Sequence, residues 1–349
     1  MKSLWNLITD RIHALPLLVL YLTDGCNSKC ATCDIWKNPR RNMSMELVEA
    51  VASTFQKLQV KWVLLSGGEA MQHPQWPEIA RRFQAEGAHV MLLTSGLLVK
   101  KQIDEVLTSV NEVIISLDGG NAETYARIRG VDAFDLVVEG MQAVRAGGLP
   151  VTIRTTVQRA NYREIPQIIE VALQADVNLI SFLTVDVSNP FAFGPRFESD
   201  PMLPIAGTAY HPPAGALTAE EIDELSQILN DVEIRFASAF ANGRMAEPPD
   251  KLRRIVTYFK AIIGQGDFDP PRCNAPHIST VIQVDGTLQP CYFLPAWGRL
   301  NGRRLDEALN DDAAVELRKA YSAGQRPECK SCVCPLYKGP RSLLRMGNS

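Results

Sequence analysis

The chain has 349 residues, of which 46% are hydrophobic and 21% charged, with a formal net charge of −3. This is the composition of a soluble globular protein, long enough for one large domain and a smaller companion. The missing basic excess argues against a broad nucleic-acid surface, and no apolar run is long enough to span a bilayer.

Leu4, Leu7, Ile8, Ile12 and Leu15 recur at helical spacing and predict an N-terminal helix over 1–15 with its apolar side docked on the core. The apolar stretch 15–22 is short, Asp10 precedes it and no small-residue cleavage site follows, so a cytoplasmic location is expected. Downstream, apolar β-rich runs at 17–23, 62–66, 89–94, 112–117, 151–157 and 177–183 alternate with helical patterns at 44–55, 76–85, 99–107, 134–146 and 162–173. Strands separated by helices of this length pair in parallel, since each crossover returns the chain to the same end of the sheet. Such a series builds a doubly wound sheet or an incomplete barrel, with the site on loops at the C-terminal ends of the strands.

The chain's eight cysteines are not spread evenly. Cys26, Cys30 and Cys33 follow the first predicted strand, and none appears again until Cys273, Cys291, Cys329, Cys332 and Cys334. In a reducing compartment this pattern points to two metal sites rather than to disulfides. Three thiolates on one short loop suit a [4Fe–4S] cluster with one iron open to an outside ligand, whereas a closed zinc site wants four protein ligands. The second strand ends in Ser66-Gly67-Gly68-Glu69. That run is either a tight turn with a solvated glutamate, or a place where a ligand reaches the backbone while Glu69 receives a bound ammonium.

Cys26-Asn-Ser-Lys-Cys30-Ala-Thr-Cys33, followed in order by Gly67-Gly68-Glu69, resembles the radical SAM superfamily over residues 15–185. The resemblance implies a partial (β/α)6 TIM-like barrel, expected here over 16–235 and followed by a small α+β domain over 236–349. It also implies a [4Fe–4S] cluster on Cys26, Cys30 and Cys33 that binds S-adenosylmethionine (SAM). Gly67, Gly68 and Glu69 then grip the SAM amine, Ser116 and Asp118 are candidates for the ribose, and Arg154 for the carboxylate. Asp118 also fits a plain Asp-Gly turn, and Arg154 an exposed strand position. Thr94-Ser95-Gly96 is similar to the family too, although a Ser-Gly turn needs no ligand. One departure is Thr32, where the family often places an aromatic residue against adenine; Ile35 or Trp36 is the expected substitute, with core packing as the alternative for Trp36.

Near the C-terminus, Asp285-Gly286 between β-rich runs predicts a hairpin that brings Cys273 and Cys291 together, closed by Cys329 and Cys332. This is similar to the SPASM or twitch extension, which implies one auxiliary [4Fe–4S] cluster on Cys273, Cys291, Cys329 and Cys332, with Cys334 spare or replacing Cys332. A four-thiolate zinc ribbon shares such spacings. Between the modules, 186–216 is rich in proline and aromatic residues and reads as a lid or linker. Thr218 to Glu221 has the form of a capping box, and His211 and His277 are given no role.

The implied activity is that of a radical SAM oxidoreductase. SAM is cleaved reductively to a 5′-deoxyadenosyl radical that takes hydrogen from a substrate C–H bond, and the auxiliary cluster accepts the electron left behind. The expected partners are a small-molecule or peptide substrate and a flavodoxin- or ferredoxin-type electron donor. A peptide maturase and a non-enzymatic metal or electron carrier are the alternatives.

Overall fold

Apolar runs buried on both faces become the strands of one open sheet. The computed structural model describes residues 2–189 and 215–345. Its strands are β1 (Leu17–Thr23), β2 (Trp62–Gly67), β3 (His89–Thr94), β4 (Glu112–Ser116), β5 (Val151–Val157), β6 (Leu179–Thr184), β7 (Ser279–Ile282), β8 (Thr287–Gln289) and β9 (Gly298–Arg299). Their order is β6-β5-β4-β3-β2-β1-β7-β8-β9, with β1 to β6 pairing in parallel. Together with the crossover helices this is the expected partial (β/α)6 barrel, left unclosed.

The two faces of the sheet differ in chemistry. On the outer face Leu18, Leu20, Val63, Val90, Ile115 and Ile153 are fully buried in the main core under the helices. The inner face carries Tyr21, Ser66, Ser116, Arg154 and Ser181. Registers Tyr21↔Ser66, Ser116↔Arg154 and Arg154↔Ser181 place paired residues side by side on this face. Alternation along β5 shows why: Val151, Ile153 and Val157 go to the core, while Thr152, Arg154 and Thr156 face inward.

The C-terminal hairpin is continuous with this sheet. β7 pairs in parallel with β1 and turns through Asp285-Gly286 into antiparallel β8. The domain boundary expected at 235/236 also falls inside one packed layer, since the helix Pro249–Ile262 lies on both the helix Ala219–Arg235 and β6. The capping box of Thr218 and Glu221 is present. The 186–216 lid falls mostly outside the described residues, together with its prolines and His211.

The N-terminal helix, Lys2–Thr9, is present but turns the other way from the expected docking. Its buried side chains are Ser3 and Asn6, whereas Ile8 is 71% exposed and Trp5 55%. Hydrogen bonding decides the orientation: Asn6 donates to the Ala14 and His277 carbonyl oxygens, both at 2.6 Å. Among the described residues, no helix is long and apolar enough to cross a membrane.

Candidate functional site

The loop after β1 is fixed from two sides. On one side Gly68 N donates to Thr23 O at 2.8 Å, and Glu69 N to Gly25 O at 2.8 Å. Gly67 has φ +124, and a Cβ on it would stand 2.5 Å from Thr23 O. A Cβ on Gly68 would stand 2.3 Å from Gly25 O. The backbone that these glycines admit is therefore the cysteine loop itself. On the other side Lys29 N donates to Arg129 O at 3.0 Å and Ala31 N to Ile128 O at 2.8 Å, which hangs the loop on the end of the helix Ala122–Arg129.

Glu69 is 1% exposed. Its Oε1 accepts from Thr94 Oγ1 at 2.8 Å and Met71 N at 3.2 Å, and its Oε2 from Ser95 N at 2.7 Å. Ser95 Oγ in turn meets Asn27 Oδ1, inside the cysteine loop, at 3.1 Å. Thr94-Ser95-Gly96 is thus the seat of the Glu69 carboxylate. A carboxylate offers about four lone-pair sites, so the three donors leave room for one more.

Burial pushes the thiols of Cys26 up to about 11 and Cys33 up to about 12, and raises Cys30 as well. Against them stands Arg129, which lies within electrostatic range of all three. Burial favours its neutral form, but the pull of Cys30 and Asp118 overrides this and raises its pKa above the usual arginine value. Arg129 Nη1 donates to Asp118 Oδ2 at 3.0 Å, and its Nε is buried without an acceptor. Asp118 Oδ1 is taken by Thr156 N at 2.7 Å. Asp118 therefore holds Arg129 and β5, a use that the turn and ribose readings both missed.

Arg129 was itself missed, because its helix is polar and gave no apolar period. The signal for that helix lies in its caps: the Asn121 side chain accepts from Thr124 N at 3.0 Å, and Gly130 closes the helix at φ +67. Ile35 is buried beside Cys33. The Trp36 ring lies between Lys29 and Lys37, with the ammonium groups 6.0 and 5.5 Å from its centroid.

At the second site Cys273, Cys291, Cys329, Cys332 and Cys334 line one cavity of about 40 Å³ with Phe293, Tyr321 and Glu328. Tyr321 Oη donates to Cys273 O at 2.6 Å and pins the first of them. Burial lifts Cys291 to about 12 and Cys329 to about 11, and raises Cys332 and Cys334. Among the described residues no three His, Cys, Asp or Glu side chains converge closely enough to hold a single metal ion. The five thiols stand around a space instead. Thiolate ligation removes the proton that burial otherwise enforces, so both thiol sets fit a cluster chemically.

The two sets approach each other at the inner face of the sheet. Cys33, from the first loop, and Tyr292, next to Cys291, pack into the same apolar cluster with Val19, Tyr21, Ile35 and Val281. The Tyr21 and Tyr292 rings are 5.9 Å apart, and the Tyr292 phenol lies beside Ser66. Sequence reasoning grouped these cysteines but did not foresee Tyr292 beside them.

Residues 20–172 match the model of the radical SAM superfamily, and residues 273–333 that of the iron–sulfur cluster-binding domain called SPASM. The chain carries a radical SAM domain followed by an SPASM domain. These two domain types imply SAM and [4Fe–4S] clusters. It is 32% identical to the AdoMet-dependent heme synthase of Methanosarcina barkeri, over 46% of this chain and 48% of that one. It is also 32% identical to a probable GTP 3′,8-cyclase of Saccharolobus islandicus, over 48% of this chain and 56% of that one. The chain thus spans about half the length of the curated relatives it matches. Among solved structures, Streptococcus suis SuiB bound to precursor peptide SuiA has a TM-score of 0.67 at 14% identity, covering 96% of this chain and 75% of that one. A second, anSMEcpe with bound AdoMet, has a TM-score of 0.63 at 16% identity, covering 92% and 89%. At these identities the likeness is one of fold.

Proposed function

We propose that this chain is a radical SAM oxidoreductase, with Cys26, Cys30 and Cys33 holding the SAM-binding cluster and the C-terminal cysteines an auxiliary one. The groups bound there supply reductive cleavage of SAM to a 5′-deoxyadenosyl radical, hydrogen abstraction from the substrate, and an acceptor for the remaining electron. The observation that supports the reading is the packing of Cys33, from the first loop, and Tyr292, next to Cys291, against one inner-face apolar cluster.

The protein's own residues then do electrostatic and steric work. Gly67 and Gly68 lock the cysteine loop to β2, and Glu69 fixes it to the loop after β3 while keeping a lone pair for the SAM amine. Arg129 offsets the charge of the three thiolates, and its unpartnered Nε suits the SAM carboxylate, the task first expected of Arg154. Ser116 remains the candidate for the ribose, and Asp118 orients Arg129. Cys273, Cys291, Cys329 and Cys332 hold the auxiliary group, with Cys334 lining the same cavity within electrostatic range of Arg154. The apolar cluster around Tyr21 and Tyr292 keeps water from the reacting carbon.

Peptide maturation is the second reading. It is favoured by the shared fold with a chain solved with a precursor peptide bound. Anaerobic reconstitution tests the assignment: about eight irons and a matching sulfide count per chain are expected, while about four irons with one zinc would remove the auxiliary acceptor.

A further inference from the structure

Two arginines stand near the two thiol sets, and they are not equivalent. Arg129 is paired with Asp118 beside Cys30. Arg154 is not paired. It sits on β5 between Ser116 of β4 and Ser181 of β6, on the same face of the sheet. Among the described residues no carboxylate lies within ion-pair distance of it and no group accepts from its guanidinium, while its Nε is sealed from solvent. An Nε sealed from solvent without an acceptor is costly, and the planar fork of a guanidinium matches an oxyanion bidentately.

The surroundings say which anion and where. Arg154 is within electrostatic range of Cys334 and Tyr292, on the auxiliary side of the inner face. Glu247 lies near it too, but that carboxylate is already held by Ser181 Oγ at 3.0 Å and Phe182 N at 2.9 Å. A phosphate monoester carries about −1.5 to −2 at neutral pH and would meet both a single guanidinium and the Glu247 charge. A carboxylate carries the single charge that Arg154 balances.

We propose that Arg154 is a specificity-determining residue that grips a carboxylate of the substrate, between the two thiol-lined sites. This rests on the proposed function, with the substrate on the inner face of the sheet, and deepens it: the substrate is a carboxylate-bearing molecule, and SAM takes Arg129.

The test uses the full chain, reconstituted anaerobically and saturated with SAM, so that the SAM carboxylate site is filled. N-acetylglycine is the probe, with N-acetylglycinamide and inorganic phosphate as the comparison arms, read by ligand-observed NMR. N-acetylglycine is expected to bind alongside SAM, its amide and phosphate to bind far more weakly, R154Q to weaken the probe by about tenfold, and R154K to recover part of the loss. SAM affinity in R154Q is expected within about twofold of the unaltered protein. The proposal is overturned if SAM displaces the probe, if R154Q loses SAM affinity by about tenfold, if phosphate outcompetes the carboxylate, or if R154Q binds the probe unchanged. Failure of the underlying reading shows separately, as absence of SAM cleavage by the unaltered protein.

Discussion

Gly68 and Gly25 are in backbone contact so close that a single methyl group on Gly68 would stand 2.3 Å from the Gly25 carbonyl oxygen. The loop that carries Cys26, Cys30 and Cys33 is therefore positioned by an absence of side chains two strands' worth of sequence away. Gly68→Ala is expected to push the loop off β2 at a cost of about 1–3 kcal/mol. Thermal unfolding should show a lowered midpoint, and iron content after reconstitution should fall at the first site only.

Arg129 supplies the buried positive charge next to the three thiols. Arg129→Gln keeps a hydrogen-bonding group for Asp118 but removes the charge. It is expected to weaken SAM binding by about 2 kcal/mol, roughly 30-fold, and to shift the reduction potential of the first cluster downward, because an added electron is then less well compensated. Arg129→Lys should restore the potential better than the affinity, since lysine brings charge without the fork. Equilibrium binding and redox titration separate the two effects.

What the residues alone disclosed, and what they did not, follows from which forces leave a trace in sequence. The strands 17–23, 89–94 and 151–157 have the expected bounds because a parallel strand covered on its outer face must be apolar there. The cysteine spacing and Gly67-Gly68-Glu69 were legible because side-chain type is itself the chemistry. The helix Ala122–Arg129 left no apolar period, only its caps, so Arg129 stayed hidden. The N-terminal helix was read the wrong way round because its orientation is set by Asn6 bonding His277, far along the chain, and not by its leucines. That Asp118 serves Arg129, and that Arg154 comes within electrostatic range of Cys334, follow from tertiary placement that spacing cannot encode.

His277 is 2% exposed, with Nε2 on Asp10 at 2.8 Å and Nδ1 buried without a partner. Burial lowers its pKa despite the Asp10 carboxylate, so the folded protein keeps it neutral. The unfolded chain protonates it below about pH 6.5. Stability is therefore expected to fall by about 1 kcal/mol from pH 7.5 to 5.5, because the unfolded state binds the extra proton. Asp10 is itself held below its usual range by His277 and Ser322, against the upward push of burial, so its contribution is lost only in stronger acid. Urea midpoints at the two pH values should differ in the native chain and converge in His277→Gln.

The five thiols around one cavity give the cysteine variants different signatures. Cys291→Ala is expected to lower the iron count from about eight to about four while SAM is still cleaved, and to stop product formation once a substrate is in hand. Cys334→Ser is expected to keep about eight irons, since Cys273, Cys291, Cys329 and Cys332 complete a set of four. Iron loss in Cys334→Ser with retention in Cys332→Ser would exchange their roles.

The most direct measurement is 5′-deoxyadenosine formed from SAM by the anaerobically reconstituted, chemically reduced protein, set beside Cys30→Ala. The unaltered chain is expected to release 5′-deoxyadenosine and methionine, and Cys30→Ala none. A fully iron-loaded protein that leaves SAM intact, or a Cys30→Ala variant that cleaves it as well, would contradict the account.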